Sequence, residues 1–292
     1  MASMVSLPSI SDQTSLVFIG GATASGKSDL ALCLAEKHNG IIINADALQI
    51  YSDLSIITAR PSIQDMVKIP HFLYGFLSIE HTYNVMDWCR SVKTIIEEHA
   101  DRKIFIVGGT GLYFKSLLYG IAPIPDIPDA IRTQARSMNN QELYDALLKI
   151  DLQATQKLHI NDTHRLARAY EVRVHTGESL YDLQKKSVSF IPSYLKTEKY
   201  LLNPTRDIVY QRINKRFDSM IEQGVLAEVA KIMHYKKPNQ AIKAVGVPEL
   251  MAYIENETSL EYAIDKAKQS SRNYAKRQLT FFNNQFSDFI KI

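Results

Sequence analysis

One segment, residues 21–28, constrains the fold of this chain more than any other. Its sequence, GATASGKS, fits the pattern G-x-x-x-x-G-K-[ST], whose glycines let successive backbone N–H groups turn toward phosphate oxygens. An apolar run at residues 16–19 precedes it. Apolar residues at helical spacing follow it, at Leu30, Ala31, Leu34 and Ala35. A strand, a glycine-rich loop and a helix in this order predict a phosphate-binding loop at the carboxyl end of a buried strand.

The N-terminal half continues to alternate between strand and helix patterns. Apolar runs at 41–43 and 104–107 predict two more strands, and apolar residues within 85–96 recur at three- and four-residue steps. A further helix is expected from about Leu112. This order predicts an α/β fold, a P-loop core with a parallel sheet and flanking helices. Ligands bind at the carboxyl ends of such strands, so the loops at 20–28, 44–49 and 108–111 are expected to meet at one site.

The pattern changes at the proline-rich segment 122–129, which predicts a stiff linker. Mostly helical periodicity follows to about residue 179, and residues 200–202 then predict another strand. Thr205 is expected to cap the next helix, and a long polar helix should span about 260–282. We therefore predict a P-loop catalytic core formed by 15–122 and 199–292. A helical insertion domain should occupy 123–198, and residues 1–14 should be a flexible N-terminus.

Composition narrows the class of protein. Of the residues, 46% are hydrophobic and 22% charged, as in ordinary globular proteins, and no run is long and apolar enough for a membrane span. The two cysteines, Cys33 and Cys89, form no CxxC pair and predict buried reduced thiols rather than a zinc site or a disulfide. Residues 1–14 lack the basic start of a secretion signal, so a cytoplasmic protein is expected. Nothing indicates an obligate partner chain, and we expect a monomer.

The charge distribution is compatible with a polyanionic partner. The net charge is +3, yet residues 199–292 alone contain 15 Lys and Arg against 10 Asp and Glu. Exposed helix faces often carry such an excess, so the charge alone does not identify the partner.

The phosphate loop supplies the first candidate site residues. Its backbone amides and the Lys27 ammonium would hold a phosphate or diphosphate, and the Ser28 hydroxyl is a candidate ligand for Mg²⁺. The predicted phosphate-binding residues are Gly21, Ala22, Thr23, Ala24, Ser25, Gly26, Lys27 and Ser28. The loop does not establish that the ligand is a nucleotide, because the strand ending at Val107 delivers no magnesium-binding carboxylate. Whether ATP binds is left open.

Six motifs in order along the chain resemble those of the tRNA dimethylallyltransferase (tRNA isopentenyltransferase) family. They are TASGKS at 23–28, DALQIY with TARP at 46–61, VGGTGLY at 107–113, NDTHRLARAYE at 161–171, RINKRF at 212–217, and AVGVPE with AKRQ at 244–278. Ala47 and Ile57 depart from the Ser and Gly that the family often has, which puts substrate affinity in question but not the reaction. The sequence lacks the zinc-finger pattern common in eukaryotic members, and so resembles the bacterial type.

The resemblance implies transfer of a dimethylallyl group from dimethylallyl diphosphate to N6 of adenosine 37 in tRNA. Asp46 would then be the general base that accepts the amine proton, and Thr110 would orient the amine or the leaving oxygen. Gln49 has a side-chain amide suited to an adenine edge. Read without the resemblance, Asp46 is also compatible with a solvated loop or a helix cap. Thr110 is likewise compatible with a cap for the helix near Leu112, and Gln49 with an exposed turn.

The resemblance also implies contacts with the anticodon loop, whose target base must be turned out of its stack. Arg165 and Arg168 are three residues apart and would share one helix face, although solvated surface charge remains the alternative for each. Arg206, Arg212 and Arg216 are second-tier candidates for the diphosphate or the tRNA backbone. The predicted tRNA-binding residues are Asp46, Ala47, Leu48, Gln49, Thr110, Arg132, His164, Arg165, Leu166, Ala167 and Arg168.

Three other functions fit parts of the sequence. A small-molecule kinase would use the same loop with ATP, but it does not account for the motif at 161–171. A prenyltransferase acting on free adenylate would share the core chemistry without needing a tRNA-binding insertion. An RNA-binding module with a nucleotide switch would leave Asp46 and the loop at 108–111 unexplained.

Overall fold

The computed structural model describes residues 8–235 and 240–292, which form one parallel sheet with helices around it and a separate group of helices. The strands are β1 (Leu16–Gly21), β2 (Ile41–Asn44), β3 (His71–Phe72), β4 (Ile104–Gly108), β5 (Thr197–Leu202) and β6 (Ile290–Lys291). Their order in the sheet is β3-β2-β4-β1-β5-β6, and all paired neighbours run parallel. The predicted α/β class and parallel sheet are confirmed.

Helices connect the strands, as parallel pairing requires. The helices of the first half are α1 (Lys27–Lys37), α2 (Ile63–Lys68), α3 (Val85–Glu98), α4 (Gly111–Tyr119), α5 (Asp129–Ser137), α6 (Asn140–Ile150) and α7 (Leu152–Lys157). Those that follow are α8 (Thr163–Thr176), α9 (Leu180–Lys185), α10 (Arg206–Glu222), α11 (Val225–Ile232), α12 (Val247–Ile254) and α13 (Leu260–Gln285), with a 3₁₀ turn at Gln240–Lys243. Thr205 precedes α10 as predicted, but its side chain makes no capping hydrogen bond.

The chain divides into two compact units, one containing residues up to 115 and from 191 onward, the other residues 116–190. The predicted insertion, 123–198, begins and ends seven to eight residues later than this division. The proline-rich segment accounts for the difference at the start. Ile127 is buried against Val172 and Leu183, so residues 122–129 pack onto the second unit instead of linking two domains.

The sheet forms the centre of the first unit. All six residues of β1 and all five of β4 are buried, as expected for strands covered by helices on both faces. Trp88 of α3 is also fully buried, and its indole Nε1 donates to the Asn44 carbonyl at 2.8 Å. The end of β2 is therefore held from the helix side.

The second unit has its own apolar core. The core residues Leu143, Leu147, Leu166 and Ala169 come from α6 and α8, and none of them is exposed. Asn139 and Glu142 form a capping box at the start of α6, which fixes where that helix begins. This core accounts for the helical periodicity of the insertion sequence.

The second half of the predicted flexible N-terminus, residues 1–14, makes packing and hydrogen-bond contacts with the sheet. Residues 1–7 lie outside the described part of the chain, but Ile10 is only 6% exposed within the cluster that contains Val17 and Leu34. The Ser11 backbone N–H donates to Glu198 Oε1 at 3.0 Å. Because this segment is mostly polar, its sequence did not indicate that Ile10 would be buried and attach the segment to the sheet.

The cysteines differ from each other. Cys89 is buried in α3, whereas Cys33 is exposed on α1, so the expectation of two buried thiols is correct only for Cys89. None of the helices in the described residues is long and apolar enough to cross a membrane.

Candidate active site

The loops after β1, β2 and β4 meet at the carboxyl edge of the sheet. The Ala45 N–H donates to the Val107 carbonyl at 2.7 Å, and the Thr110 N–H donates to the Ala45 carbonyl at 3.1 Å. Thr23 of the first loop and Asp46 of the second line the same cavity. The sequence-predicted convergence of three loops is therefore what the structure contains.

The phosphate loop joins β1 directly to α1. Gly26 has φ of +98°, a left-handed conformation that residues with a Cβ rarely adopt, and α1 begins at the next residue. Ser25 is buried, and its hydroxyl has no hydrogen-bond partner among the described residues. A buried, unpaired hydroxyl within a turn of backbone amides is the arrangement expected of a loop that receives an anion.

Lys27 lies at the centre of a small group of charges. Its Nζ donates to the Ala22 carbonyl at 3.1 Å. Burial lowers the pKa of Lys27 to about 8, a shift that the negative charge of Asp46 opposes and the positive charge of Arg216 reinforces. Two cations and one carboxylate leave a net positive charge, which an anionic ligand would neutralise.

Helix α10 brings two of the second-tier arginines to the phosphate loop. Arg212 Nη1 donates to the Ser25 carbonyl at 3.0 Å, and Arg216 Nη2 donates to the Thr23 hydroxyl. Burial lowers the pKa of Arg216, while Asp46 favours its charged form. The third, Arg206, lies at the start of α10 and lines a different groove, with Lys276 and Asn283.

Asp46 is held by the residue two positions before it. The buried Asn44 side chain accepts from the Asp46 N–H at 2.8 Å and donates to the Asp46 and Leu73 carbonyls, each at 2.9 Å. The Asp46 Oδ1 atom accepts from the Leu48 N–H at 3.0 Å. Among the described residues this is the hydrogen bond made by the carboxylate, so Oδ2 is available to a ligand. The sequence reasoning missed Asn44, although a polar residue ending an apolar strand beside Asp46 was a usable signal.

Thr110 contacts the loop that carries Asp46. Its hydroxyl oxygen accepts from the Ala47 N–H at 3.0 Å, which ties the ends of β2 and β4 together. Its backbone carbonyl, rather than its side chain, accepts from the Tyr113 N–H as α4 begins. The Thr110 hydroxyl is the acceptor in this bond, so its own proton remains available for donation.

Gln278 of α13 is the principal residue missing from the predicted site. Its Oε1 accepts from the Thr23 N–H at 2.8 Å, and its Nε2 donates to the Gly109 carbonyl at 3.0 Å, so one buried side chain joins two of the three loops. A Cβ at position 109 would collide with this amide, which explains the glycine there. The sequence contained Gln278 in the AKRQ motif, but nothing local indicated which partners it would have.

One cavity connects these groups to an apolar surface. Its polar wall consists of Thr23, Asp46, Thr58, Arg216, Ser271 and Tyr274. Its apolar wall consists of Leu48, Ile57, Ile213, Phe217, Met220, Ala244 and Val245. Burial raises the pKa of Tyr274, and the charge of Asp46 raises it further, so the phenol remains a hydrogen-bond donor. A ligand with a phosphorylated end and a small apolar end matches this division.

Other predicted residues near Asp46 have structural contacts. Gln49 Nε2 donates to the carbonyls of Thr58 at 2.9 Å and Ala59 at 3.2 Å, so its amide protons bind the chain's own backbone. Leu48 lines the cavity, and Ala47 contributes the N–H bonded by Thr110.

The remaining predicted tRNA contacts belong to the second unit. His164, Arg165 and Arg168 lie in α8, where Arg165 Nε is 3.3 Å from Asp162 and its side chain is 72% exposed. Arg168 is 3.3 Å from the nearly buried Glu171. Leu166 is fully buried in the core of the unit, while Ala167 is partly buried, because five consecutive residues of a helix cannot share one face. The Arg132 Nε of α5 is buried and has no partner among the described residues.

The oxygen ligands near the phosphate loop suit a Mg²⁺ ion that is bound by few protein atoms. No group of three or more His, Cys, Asp or Glu side chains able to hold a metal occurs among the described residues. Ser28 is exposed in the first turn of α1, and Asp46 is the carboxylate of the cavity. Mg²⁺ is commonly bound by one or two protein oxygens together with substrate phosphates, so these residues fit that ion only with a phosphorylated ligand present.

Comparison with known proteins gives the family. The family model described as IPP transferase matches residues 49–285, and one described as isopentenyl transferase matches residues 14–74. The tRNA dimethylallyltransferase of Bartonella tribocorum is 43% identical to this chain over 279 residues, which are 94% of this chain and 96% of that protein.

Solved structures agree. The tRNA isopentenylpyrophosphate transferase from Bacillus halodurans is similar with a TM-score of 0.70 and 32% identity, covering 96% of this chain and 89% of that one. A eukaryotic dimethylallyltransferase acting on tRNA gives a TM-score of 0.84 at 25% identity, covering 96% of this chain and 73% of that one. The resemblance drawn from six motifs is confirmed, and this chain belongs to the tRNA dimethylallyltransferase (tRNA isopentenyltransferase) family.

Proposed function

We propose that this chain transfers the dimethylallyl group of dimethylallyl diphosphate to N6 of adenosine 37 in tRNAs, giving N6-(dimethylallyl)adenosine and diphosphate. The observation that carries the proposal is the cavity in which Asp46, Arg216 and the phosphate-loop residue Thr23 face an apolar wall. The diphosphate would lie on the loop amides and Lys27, and the five-carbon group would lie against the apolar wall.

In the proposed step, the bond between C1 of the dimethylallyl group and the diphosphate oxygen breaks as a bond forms between C1 and N6. The diphosphate oxygen takes the electron pair, and Lys27 and Arg216 stabilise its negative charge. The N6 amine loses a proton, for which the Oδ2 atom of Asp46 is the available acceptor. Thr110, fixed against the same loop, would orient the amine or a diphosphate oxygen.

Mg²⁺ belongs to this proposal as a partner of the diphosphate. Ser28 would hold it together with phosphate oxygens, and when bound it would add positive charge at the leaving group. A cytoplasmic monomer that binds the anticodon loop through the second unit completes the proposal, with Arg165 and Arg132 as its first candidate contacts.

The test uses purified protein, Mg²⁺ and labelled dimethylallyl diphosphate with two acceptors, unmodified tRNA and free AMP. We expect label in tRNA, and about a 10²- to 10⁴-fold loss of the transfer rate in Asp46→Ala, the usual contribution of a general base. Asp101→Ala, which removes an exposed carboxylate from a turn outside the cavity, is the matched control and should retain full activity. Label in AMP alone would reassign the acceptor, and ATP hydrolysis without transfer would reject prenyl transfer altogether.

A further inference from the structure

Glu228 is a nearly buried carboxylate that the proposed reaction does not use. It lies in α11, a helix whose residues Val225, Val229 and Ile232 are fully buried in an apolar cluster. No salt bridge to Glu228 occurs within the described residues. The charge of Arg60 interacts with that of Glu228 from beyond salt-bridge distance, so hydrogen bonds must supply most of the compensation for removing this carboxylate from water.

The compensation comes from three consecutive backbone amides. Glu228 Oε2 accepts from the Ser55 N–H at 2.8 Å, the Ile56 N–H at 2.8 Å and the Ser55 hydroxyl at 2.9 Å. Glu228 Oε1 accepts from the Ile57 N–H at 2.8 Å and, more weakly, from the Ile56 N–H at 3.1 Å. Both oxygens are thus bound to a single short stretch of chain.

That stretch is a tight turn that contributes to the cavity. The Ala59 N–H donates to the Ile56 carbonyl at 2.9 Å, and the Arg60 N–H donates to the Ser55 carbonyl at 3.1 Å. The amides at the start of such a turn need an outside acceptor, as at the start of a helix. Glu228, distant in sequence, supplies it.

This turn also supports the loop that carries Asp46, the proposed base. Ile57 and Thr58 line the cavity beside Leu48 and Asp46. The carbonyls of Thr58 and Ala59 accept from Gln49 Nε2, three residues beyond Asp46. Movement of the turn would therefore shift both the wall of the cavity and the segment that carries Asp46.

We propose that Glu228 is a positioning residue for the prenyl donor: through the amides of 55–57 it fixes the cavity wall against which the apolar end of the donor lies. This inference rests on the proposed function. Glu228 itself does not line the cavity, so it acts through the turn rather than by contact with substrate.

The informative variant is Glu228→Gln, which preserves shape but turns an NH₂ group toward the backbone N–H groups. We expect kcat/KM for dimethylallyl diphosphate to fall about tenfold, since small misplacements at a reacting centre have effects of this size or larger. KM for tRNA should remain within about twofold of the wild type. The control is Ile232→Ala, a buried change in the same helix, assayed where both variants are folded.

The results distinguish a failure of the positioning role from a failure of the proposed function. If the wild type transfers no prenyl group, the proposed function fails first. If the wild type is active and Glu228→Gln behaves like Ile232→Ala, or changes KM for tRNA equally, the positioning role is rejected.

A second measurement applies even if Glu228→Gln does not fold. Hydrogen exchange in Ser55→Ala, which removes one donor to Glu228, should be faster for the amides of residues 55–57 and unchanged for those of β4. Exchange unchanged at 55–57 would also reject the positioning role.

Discussion

At the scale of single residues, the environment of Lys27 decides what the phosphate loop can bind. The lysine is partly buried, next to Arg216, and its charge is only partly balanced by Asp46. Burying an ammonium beside a guanidinium destabilises the empty site and favours an anionic ligand, because the ligand then supplies the missing negative charge. The depressed pKa of Lys27 and the affinity for a diphosphate therefore have the same physical origin.

This origin predicts how donor binding depends on pH. The pKa of Lys27 in the ligand-free protein is about 8, so its ammonium is present below that pH and is lost as pH rises through it. A bound diphosphate stabilises the ammonium, so binding above pH 8 must take up a proton. The Kd for dimethylallyl diphosphate should then rise by up to about tenfold per pH unit above 8.

Titration calorimetry across this pH range measures the effect directly. Lys27→Arg is the matched comparison, since a guanidinium stays protonated throughout and should give a flatter dependence. A wild-type Kd that stays constant from neutral pH to well above 8 would contradict this role for Lys27.

At the scale of elements, the sequence predicted those strands, loops and helices that depend on local residue patterns. Short apolar runs located β1, β2 and β4, and the glycine motif located the loop before α1. Strands β3 and β6 were missed because each has two residues, too few to show a period. Gln278 was missed as a site residue for a different reason, since its partners Thr23 and Gly109 are brought to it only when α13 packs against the sheet.

The joining role of Gln278 can be tested through stability and binding together. Gln278→Leu would leave the partly buried Thr23 N–H and the buried Gly109 carbonyl without these partners, at a cost of about 1–3 kcal/mol for the carbonyl and less for the N–H. We expect a lower melting temperature and a smaller stabilisation by added inorganic diphosphate, because the phosphate loop loses its attachment. Thermal unfolding with and without diphosphate measures both.

Gln285→Leu provides the control, because it removes an exposed hydrogen bond to Lys115 from the same helix. It should leave the stabilisation by diphosphate intact. An equal response to diphosphate in Gln278→Leu would show that α13 does not hold the loop.

At the scale of the whole molecule, the sequence predicted two parts, and the structure divides into two compact units with bounds seven to eight residues earlier. The first division was displaced because prolines in 122–129 resembled a linker, whereas the apolar residues between them cover the helices of the second unit. The same limitation affected the predicted tRNA contacts. A motif identifies a stretch such as 164–168, but only the fold separates exposed Arg165 from buried Leu166.

Arg165 and the phosphate loop belong to different units, so we expect a substitution at Arg165 to affect KM for tRNA and not KM for the prenyl donor. Arg165 is mostly exposed, and its ion pair with Asp162 is of the surface kind that contributes about 0–1 kcal/mol to stability. Arg165→Ala should therefore fold normally. If the guanidinium contacts a tRNA phosphate, KM for tRNA should rise by about threefold to thirtyfold. The slope of the logarithm of tRNA affinity against the logarithm of salt concentration should become shallower by about one. KM for dimethylallyl diphosphate should not change, because the phosphate loop belongs to the other unit.

Lys149→Ala removes the same charge from an exposed position of α6 in the same unit, and so controls for net charge. The contact requires that Arg165→Ala weaken tRNA binding more than Lys149→Ala does at every salt concentration. Equal losses would mean that the second unit attracts tRNA only through its overall charge, and a change in KM for the donor would mean that the substitution perturbs the catalytic unit. Arg168→Ala is the less informative variant, because it would also leave the nearly buried Glu171 without its partner.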